Sequence, residues 1–306
     1  MSKLITVFGA TGQQGGSVVE AILADPALSK EFRIRAVTRD TSKPNAKALA
    51  ARGVELVTAD MSTPESVAPA VRGAHTVFLV TNFWESVSAA VEAAQGKAVA
   101  DAAKAEGVQH LVFSSLLNIR ELSGGRLTHV SHFDAKADVE QYIRDIGVPA
   151  TFVLAGLYMS NFFDVIRRGE DGGYLLAWPV DGDKAQMPVY DPLDTGKYVK
   201  AAIKNFPEWK GRRIYGGANY MTPKELVKQF SDVLGKPATY QQIPQDVFKT
   251  FLPDMIAQEM LENLLLLEGP GYYGGQDLAE SLALLDEKPT TWSEYVEKNK
   301  EKYLSK

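Results

Sequence analysis

No cysteine occurs among the 306 residues, and there are only four histidines. The first absence excludes disulfides, thiolate nucleophiles and cysteine-ligated metals, and leaves the redox compartment open. Of His75, His110, His129 and His132, only the last two are close in sequence. No His-Glu-x-x-His pattern accompanies them, so no metal site is expected. A Gly-x-Ser-x-Gly elbow is also missing, which removes the usual start for serine hydrolysis. The formal charge is −5, with no lysine-rich tract and no basic recognition helix. Neither direct binding of nucleic acid nor attraction to an anionic membrane is expected on that balance. The apolar run Leu264-Leu265-Leu266-Leu267 is far shorter than the roughly 20 residues that cross a bilayer. Between Met1-Ser2-Lys3 and the first glycine stand only five residues, too few for a signal-peptide core. A cytoplasmic globular protein is the expectation.

What is present is ordinary in bulk and specific in one place. Apolar residues make up 45% and charged residues 23%, enough for a substantial core. The length predicts two domains, or one large α/β domain with an appended lobe. Near the start, Leu4-Ile5-Thr6-Val7-Phe8 runs into Gly9-Ala10-Thr11-Gly12-Gln13-Gln14-Gly15-Gly16 and then into an amphipathic stretch carrying Val18, Val19, Ile22 and Leu23. Strand, glycine turn and helix in this order are what a dinucleotide-binding turn requires. Gly9 permits the tight exit, Gly12 lets backbone approach a pyrophosphate, and Gly15 allows close packing of helix on strand. The pyrophosphate would sit at the helix N-terminus, where unpaired N–H groups and the helix dipole favour anions.

Strand and helix patterns alternate from there. Strands are predicted at 34–38, 54–59, 76–80, 110–113 and 150–154, with helices near 43–51, 64–71, 86–106 and 132–146. This alternation predicts a Rossmann-type α/β fold with a doubly wound parallel sheet, whose ligands bind outside the carboxyl ends of the strands. Beyond residue 155 the pattern loosens. Two turn-rich stretches precede Met187-Pro188-Val189-Tyr190, which reads as a short edge strand. Helices follow near 194–204, 223–234, 245–267 and 293–303. The expectation is a Rossmann domain over 1–155 and a smaller, mostly helical lobe over 156–306, packed on the sheet with some exchange of chain.

The end of the second strand bears on the cofactor. An acidic residue there holds the ribose 2′-hydroxyl of NAD, whereas arginine accommodates the 2′-phosphate of NADP. The chain has Arg39, then Asp40 and Lys43. A guanidinium matches phosphate bidentately, so NADP(H) is expected in preference to NAD(H). The competing reading is a solvated surface arginine, and Asp40 leaves room for NAD.

The glycine turn, Val37-Thr38-Arg39, Thr81-Asn82-Phe83-Trp84-Glu85-Ser86, Gln95-Gly96-Lys97, His132-Phe133-Asp134-Ala135-Lys136 and Asp145-Ile146-Gly147-Val148-Pro149 resemble the NmrA-like family, an atypical branch of the short-chain dehydrogenases. Within it the likeness is greatest to an NADP(H) redox-sensor branch. It runs through most of 1–165 and fades toward the C-terminus. It implies that the chain binds NAD(P) and acts by controlling a protein partner, with a homodimer and a nuclear as well as cytoplasmic location compatible with that role. It further implies cofactor contacts from Gly9, Thr11, Gly12, Gln13, Gln14, Gly15, Arg39, Lys43, Asp60, Met61, Thr81, Asn82, Phe83, Lys97, Lys136 and Tyr158.

Active short-chain dehydrogenases carry a tyrosine four residues before a lysine on one helix, the lysine lowering the tyrosine pKa. Reading back from Lys136, that position holds His132. The lysine is present and the ordinary acid is not. Ser131 and Asp134 fit a capping pattern at this helix start. Histidine can exchange protons near neutrality, but a cation at Lys136 would keep it neutral and a poor donor; binding and inert capping are its other readings. Ser114 and Ser115 stand near where a dehydrogenase serine would lie, and serve equally well to cap or close a turn.

Phe83 and Trp84 either cover the cofactor or pack their loop on the helix that follows. Met255, Ile256, Met260, Leu261, Leu264 and Leu265 have helical spacing, read as core or as a partner groove. Two functions remain. The first is a cofactor-sensing regulator with no catalytic residue. The second is an NADPH-dependent reductase of a small carbonyl, enone or quinone, as in isoflavone-reductase-like relatives, which would use Lys136 and His132.

Overall fold

Strand β1 (Lys3–Val7) lies inside the large sheet, between two other strands, and shows why the chain folds as it does. Its residues from Leu4 to Val7 are buried on both faces, the mark of a parallel strand covered by helices on two sides. The computed structural model describes residues 2–305. β2 (Phe32–Thr38), β3 (Glu55–Thr58), β4 (Thr76–Leu79), β5 (His110–Ser115) and β6 (Ala150–Leu154) follow in the predicted alternation with helices. Later strands are β7 (Leu157–Tyr158), β8 (Arg167–Arg168), β9 (Tyr174–Trp178), β10 (Met187–Tyr190), β11 (Arg213–Tyr215), β12 (Asn219–Met221) and β13 (Ala238–Gln242).

Seven of these form one parallel sheet in the order β11-β6-β5-β4-β1-β2-β3. The direction of winding reverses between β1 and β4, so a crevice opens beyond their carboxyl ends. Alternation along the strands sorts the core into two layers. Val77, Leu79, Leu111 and Phe113 face the helices Pro64–Val71, Ala89–Ala105 and Ser131–Ile146. Phe78 and Val112 face the other way, toward the helices Gln13–Ala24 and Thr195–Lys204.

The C-terminal part is mostly helical and joins this frame closely. β11 completes the large sheet beside β6. The helix Thr195–Lys204 lies against Gln13–Ala24 at Gly196, where an added Cβ would stand 2.2 Å from the carbonyl oxygen of Ser17. The Gly196 N–H donates to Ser17 Oγ at 2.7 Å. At the far end of the same helix pair, Lys204 meets Asp25 at 2.7 Å, and this bond with two backbone N–H groups pulls the Asp25 carboxyl down to about 2. Two small sheets, β12-β10-β7 and β13-β9-β8, complete the fold.

Several expectations are corrected. Met187–Tyr190 is a strand, but it lies in the middle of its sheet. Its proline is tolerated because β7 pairs only with Val189 and Tyr190, leaving Pro188 outside that ladder. The predicted helix over 245–267 is two, Gln245–Lys249 and Asp254–Leu265, separated at Leu252-Pro253 because a residue before proline disfavours helical backbone. The last helix is likewise divided, into Trp292–Lys298 and Lys300–Leu304, at Asn299. Ser131 does not cap the helix Ser131–Ile146; Asp134 instead accepts the Ile119 N–H at 2.7 Å.

His110 makes the fold sensitive to acid. Its ring is stacked on Phe206 with centroids 4.0 Å apart, and Nε2 lies 3.0 Å from Thr151 Oγ1. Burial drives its pKa down to about 3. The unfolded chain takes up this proton near pH 6.5 and the native state does not, so stability falls as pH drops below 6.5. The expected loss is about 2 kcal/mol between pH 6.5 and 5. Urea denaturation across that range should show the slope in the wild type and a flatter one in His110→Phe.

Candidate functional site

The crevice between β1 and β4 is a cleft of about 680 Å³, inside the range of small-molecule and cofactor sites. Its floor is the glycine turn. Gly9 adopts a left-handed φ of +65°, which lets the chain leave β1 sharply, and Gly12 donates its N–H to the Gly9 carbonyl at 2.9 Å. The helix Gln13–Ala24 then begins with no side-chain cap and no acidic residue in its first turn. Its leading N–H groups therefore face the cleft without a competing carboxylate, the arrangement that binds a pyrophosphate. A Cβ at Gly15 would stand 2.4 Å from the Gly9 carbonyl oxygen, so this glycine is required by helix-on-strand packing.

At one end of the cleft are Arg39, Lys43, Asp60 and Met61, following β2 and β3. Asp40 lines the same end, and its Oδ1 accepts the Ser42 N–H at 2.8 Å and the Ser42 hydroxyl at 2.6 Å. Arg39 is ion-paired with Glu85, which stands in the one-turn helix Phe83–Ser86 after β4. At the middle and far end are Thr11, Gln13, Gln14, Thr81, Asn82, Phe83, Lys136 and Tyr158, all lining the same cleft. The Gln14 amide donates to the Tyr158 hydroxyl, whose pKa is raised by burial. These residues fit a dinucleotide: cations at one end, bare helix N–H groups at the middle, and buried polar groups such as Gln14 Oε1, without a partner among the described residues, near the other.

Lys97 is not brought there. It lies on the helix Ala89–Ala105 with Nζ 5.2 Å from the ring centroid of Tyr142, away from the cleft wall. The other acidic partners of the site are residues that sequence patterns did not single out. Lys136, its side chain 12% exposed, is ion-paired with the fully buried Glu92 and donates to Thr81 Oγ1 at 3.1 Å. Thr81 in turn donates to Glu92 Oε1 at 2.7 Å. Burial holds the Lys136 ammonium below the usual lysine range, against the pull of Glu92.

His132 has a comparable restraint. Glu259 Oε1 accepts its backbone N–H at 2.9 Å and lies 2.6 Å from its Nδ1. One turn earlier, Glu262 accepts the His129 N–H at 2.7 Å and lies 2.6 Å from its Nδ1. Both carboxylates come from the helix Asp254–Leu265, so two His–Glu pairs at matching i,i+3 spacing fasten that helix to the start of Ser131–Ile146. The charged group touching His132 is thus a carboxylate, and Lys136 engages Glu92. The expected apolar stripe of this helix is core at Leu261 and Leu264, while Met255 is exposed.

The aromatic loop divides its roles. Phe83 is buried, and Trp84 stands at the cleft with its ring centroid 5.0 Å from that of His132. Ser115 donates to the buried Glu140 at 2.6 Å, a structural bond. Asn161, Met260, Asn263 and Tyr272 close the far wall.

The sequence profile described as the NmrA-like family matches residues 1–296. An NmrA-like family domain-containing protein of Dictyostelium discoideum is 30% identical over 97% of this chain and 98% of its own. The NmrA-like family domain-containing oxidoreductase lnaB of Aspergillus flavus is 29% identical over 90% and 87%. Among solved structures, the negative transcriptional regulator NmrA in complex with NADP superposes with a TM-score of 0.82 at 25% identity, over 97% of this chain and 94% of that one. The same regulator has been solved in complex with NAD. Among the described residues no helix is long and apolar enough to cross a membrane, and no cluster of metal-ligating side chains occurs.

Proposed function

The chain belongs to the NmrA-like family, and from that membership we propose that it is an NADP(H) receptor that regulates a protein partner. The observation that carries this reading is the state of His132. It occupies the position of a dehydrogenase tyrosine, and its backbone N–H and Nδ1 are both engaged by Glu259. It therefore joins the cofactor cleft to a C-terminal helix, a role suited to transmitting occupancy. Lys136 reinforces the reading, since its ammonium is held by Glu92 and Thr81. A regulator of this type requires that cofactor interact differently with two conformations, and the partner or a second copy of the chain reads which one is present.

The preference for NADP(H) rests on Arg39 and Lys43 at the adenosine end, where the Asp40 carboxylate is bonded to Ser42. Calorimetric titration tests it: Arg39→Ala is expected to weaken NADPH about 100-fold, about 2.7 kcal/mol, and NADH less than threefold. Equal losses for both cofactors would contradict the assignment of Arg39. Uptake of neither cofactor by the wild type would remove the receptor reading altogether.

A second reading, an NADPH-dependent reductase of a small carbonyl, enone or quinone, is favoured by the extent of the cleft. Besides Lys136 its lining includes Asn161, Met260 and Tyr272, side chains that suit a small substrate.

A further inference from the structure

We propose that Glu85 sets the cofactor preference of the cleft by occupying Arg39 until a 2′-phosphate takes its place. This inference rests on the reading of the cleft as a dinucleotide site. Arg39 follows β2 and Glu85 follows β4, so their ion pair bridges two strands that flank β1 across the cleft mouth. Both side chains are well exposed, 62% and 45%, and both line the cleft. Ion pairs at such exposure are weak, so the fold gives up little when this one opens.

The neighbours of Glu85 are anchored in other ways. Phe83 is buried, Trp84 lies against His132, and the turn ends at Val87 in a left-handed conformation with φ 50°. Glu85 is the part of the turn held by the cofactor-facing cation. A 2′-phosphate brings more charge and more acceptor oxygens than one carboxylate, and takes the guanidinium fork bidentately. The displaced Glu85 then faces a like charge and leaves. A 2′-hydroxyl acts in the opposite sense: it donates to the Glu85 carboxylate and leaves the ion pair standing. One pair of side chains thus distinguishes the two cofactors, with NADP(H) opening the bridge and NAD(H) retaining it. Opening removes the tie between Arg39 and the turn that carries Trp84, whose ring lies against His132, and His132 is bonded to Glu259 of the C-terminal helix.

Two measurements test this. In calorimetry, Glu85→Gln is expected to raise the ratio of NADPH to NADH affinity about tenfold, NADPH binding tighter and NADH weaker. In fluorescence, Trp84 is 44% exposed whereas Trp178, Trp209 and Trp292 are 6%, 5% and 0% exposed, so acrylamide quenching reports chiefly on Trp84. NADP+ is expected to increase that quenching in the wild type and NAD+ to leave it unchanged, with the two cofactors equivalent in Glu85→Gln. NADPH binding with an affinity ratio that Glu85→Gln leaves unchanged, or an equal Trp84 response to both cofactors in the wild type, overturns this inference alone. Failure of the wild type to bind either cofactor overturns the reading of the cleft and the inference with it.

Discussion

Glu92→Ala is expected to lower the unfolding free energy by about 3–5 kcal/mol, because it leaves the Lys136 ammonium in a buried site without its counter-charge. Glu92 is fully buried and Lys136 only 12% exposed on its side chain, so water replaces little of what is lost. The double variant Glu92→Leu with Lys136→Met should recover most of that loss, since apolar residues of similar volume commonly replace a buried ion pair at little cost. The pH dependence has a defined sign. Burial already places the native Lys136 pKa below the ordinary lysine value, and removal of Glu92 takes away the opposing attraction. The unfolded chain then holds this proton to higher pH than the native state, so the deficit of Glu92→Ala should shrink as pH rises toward about 10.4. Urea denaturation of the single and double variants at neutral and alkaline pH measures all of this. A single variant as stable as the wild type would mean that Glu92 and Lys136 do not form a buried pair.

Gly15→Ala is expected to cost about 3 kcal/mol or more and to weaken NADPH by more than about 100-fold. The added Cβ would lie 2.4 Å from the Gly9 carbonyl oxygen and 2.5 Å from the Gly9 carbonyl carbon. Both are backbone atoms at the left-handed corner of the turn, so no side chain can move aside to relieve the contact. Either the helix Gln13–Ala24 is displaced from the end of β1 or the corner at Gly9 opens, and each moves the N–H groups that would hold the pyrophosphate. Gly16→Ala is the control. Its Cβ would meet the Ala10 carbonyl oxygen at 3.4 Å, an ordinary contact, and an alanine inside a helix is favoured over glycine by about 0.5–1 kcal/mol. Melting temperatures and calorimetry on the two variants should separate cleanly. Equal behaviour would contradict the close approach of helix and strand at Gly15.

The parts of this molecule that could be read from sequence are those fixed by local pattern. The order of strands and helices through β6 follows from apolar periodicity, and the glycine turn from the spacing of Gly9, Gly12 and Gly15. Residues at the carboxyl ends of strands, such as Arg39 and Thr81, follow from where parallel sheets place their ligands. What could not be read depends on contacts between distant segments. Glu92 is one acid in an alanine-rich stretch, and nothing local distinguishes it from a solvated residue; only packing against the helix Ser131–Ile146 buries it beside Lys136. Lys97, on the same helix, shows the opposite outcome and faces Tyr142. The His129–His132 and Glu259–Glu262 pairs did leave a trace in the sequence, since both have i,i+3 spacing. Their pairing spans more than a hundred residues, which a single sequence does not reveal. Pro253 marks the break between Gln245–Lys249 and Asp254–Leu265, but the continuous apolar pattern around it reads as one helix.

Our proposal is that the cleft receives NADPH and does not use it for turnover, because His132 is engaged by Glu259 and Lys136 by Glu92. Its most direct test incubates the purified protein and NADPH with a panel of aldehydes, enones and quinones, following absorbance of the reduced nicotinamide after binding has been confirmed by calorimetry. Saturable binding is expected, with no steady oxidation above the rate without protein. Steady turnover on any member of the panel, abolished by Lys136→Ala, would contradict it and make the reductase reading the correct one.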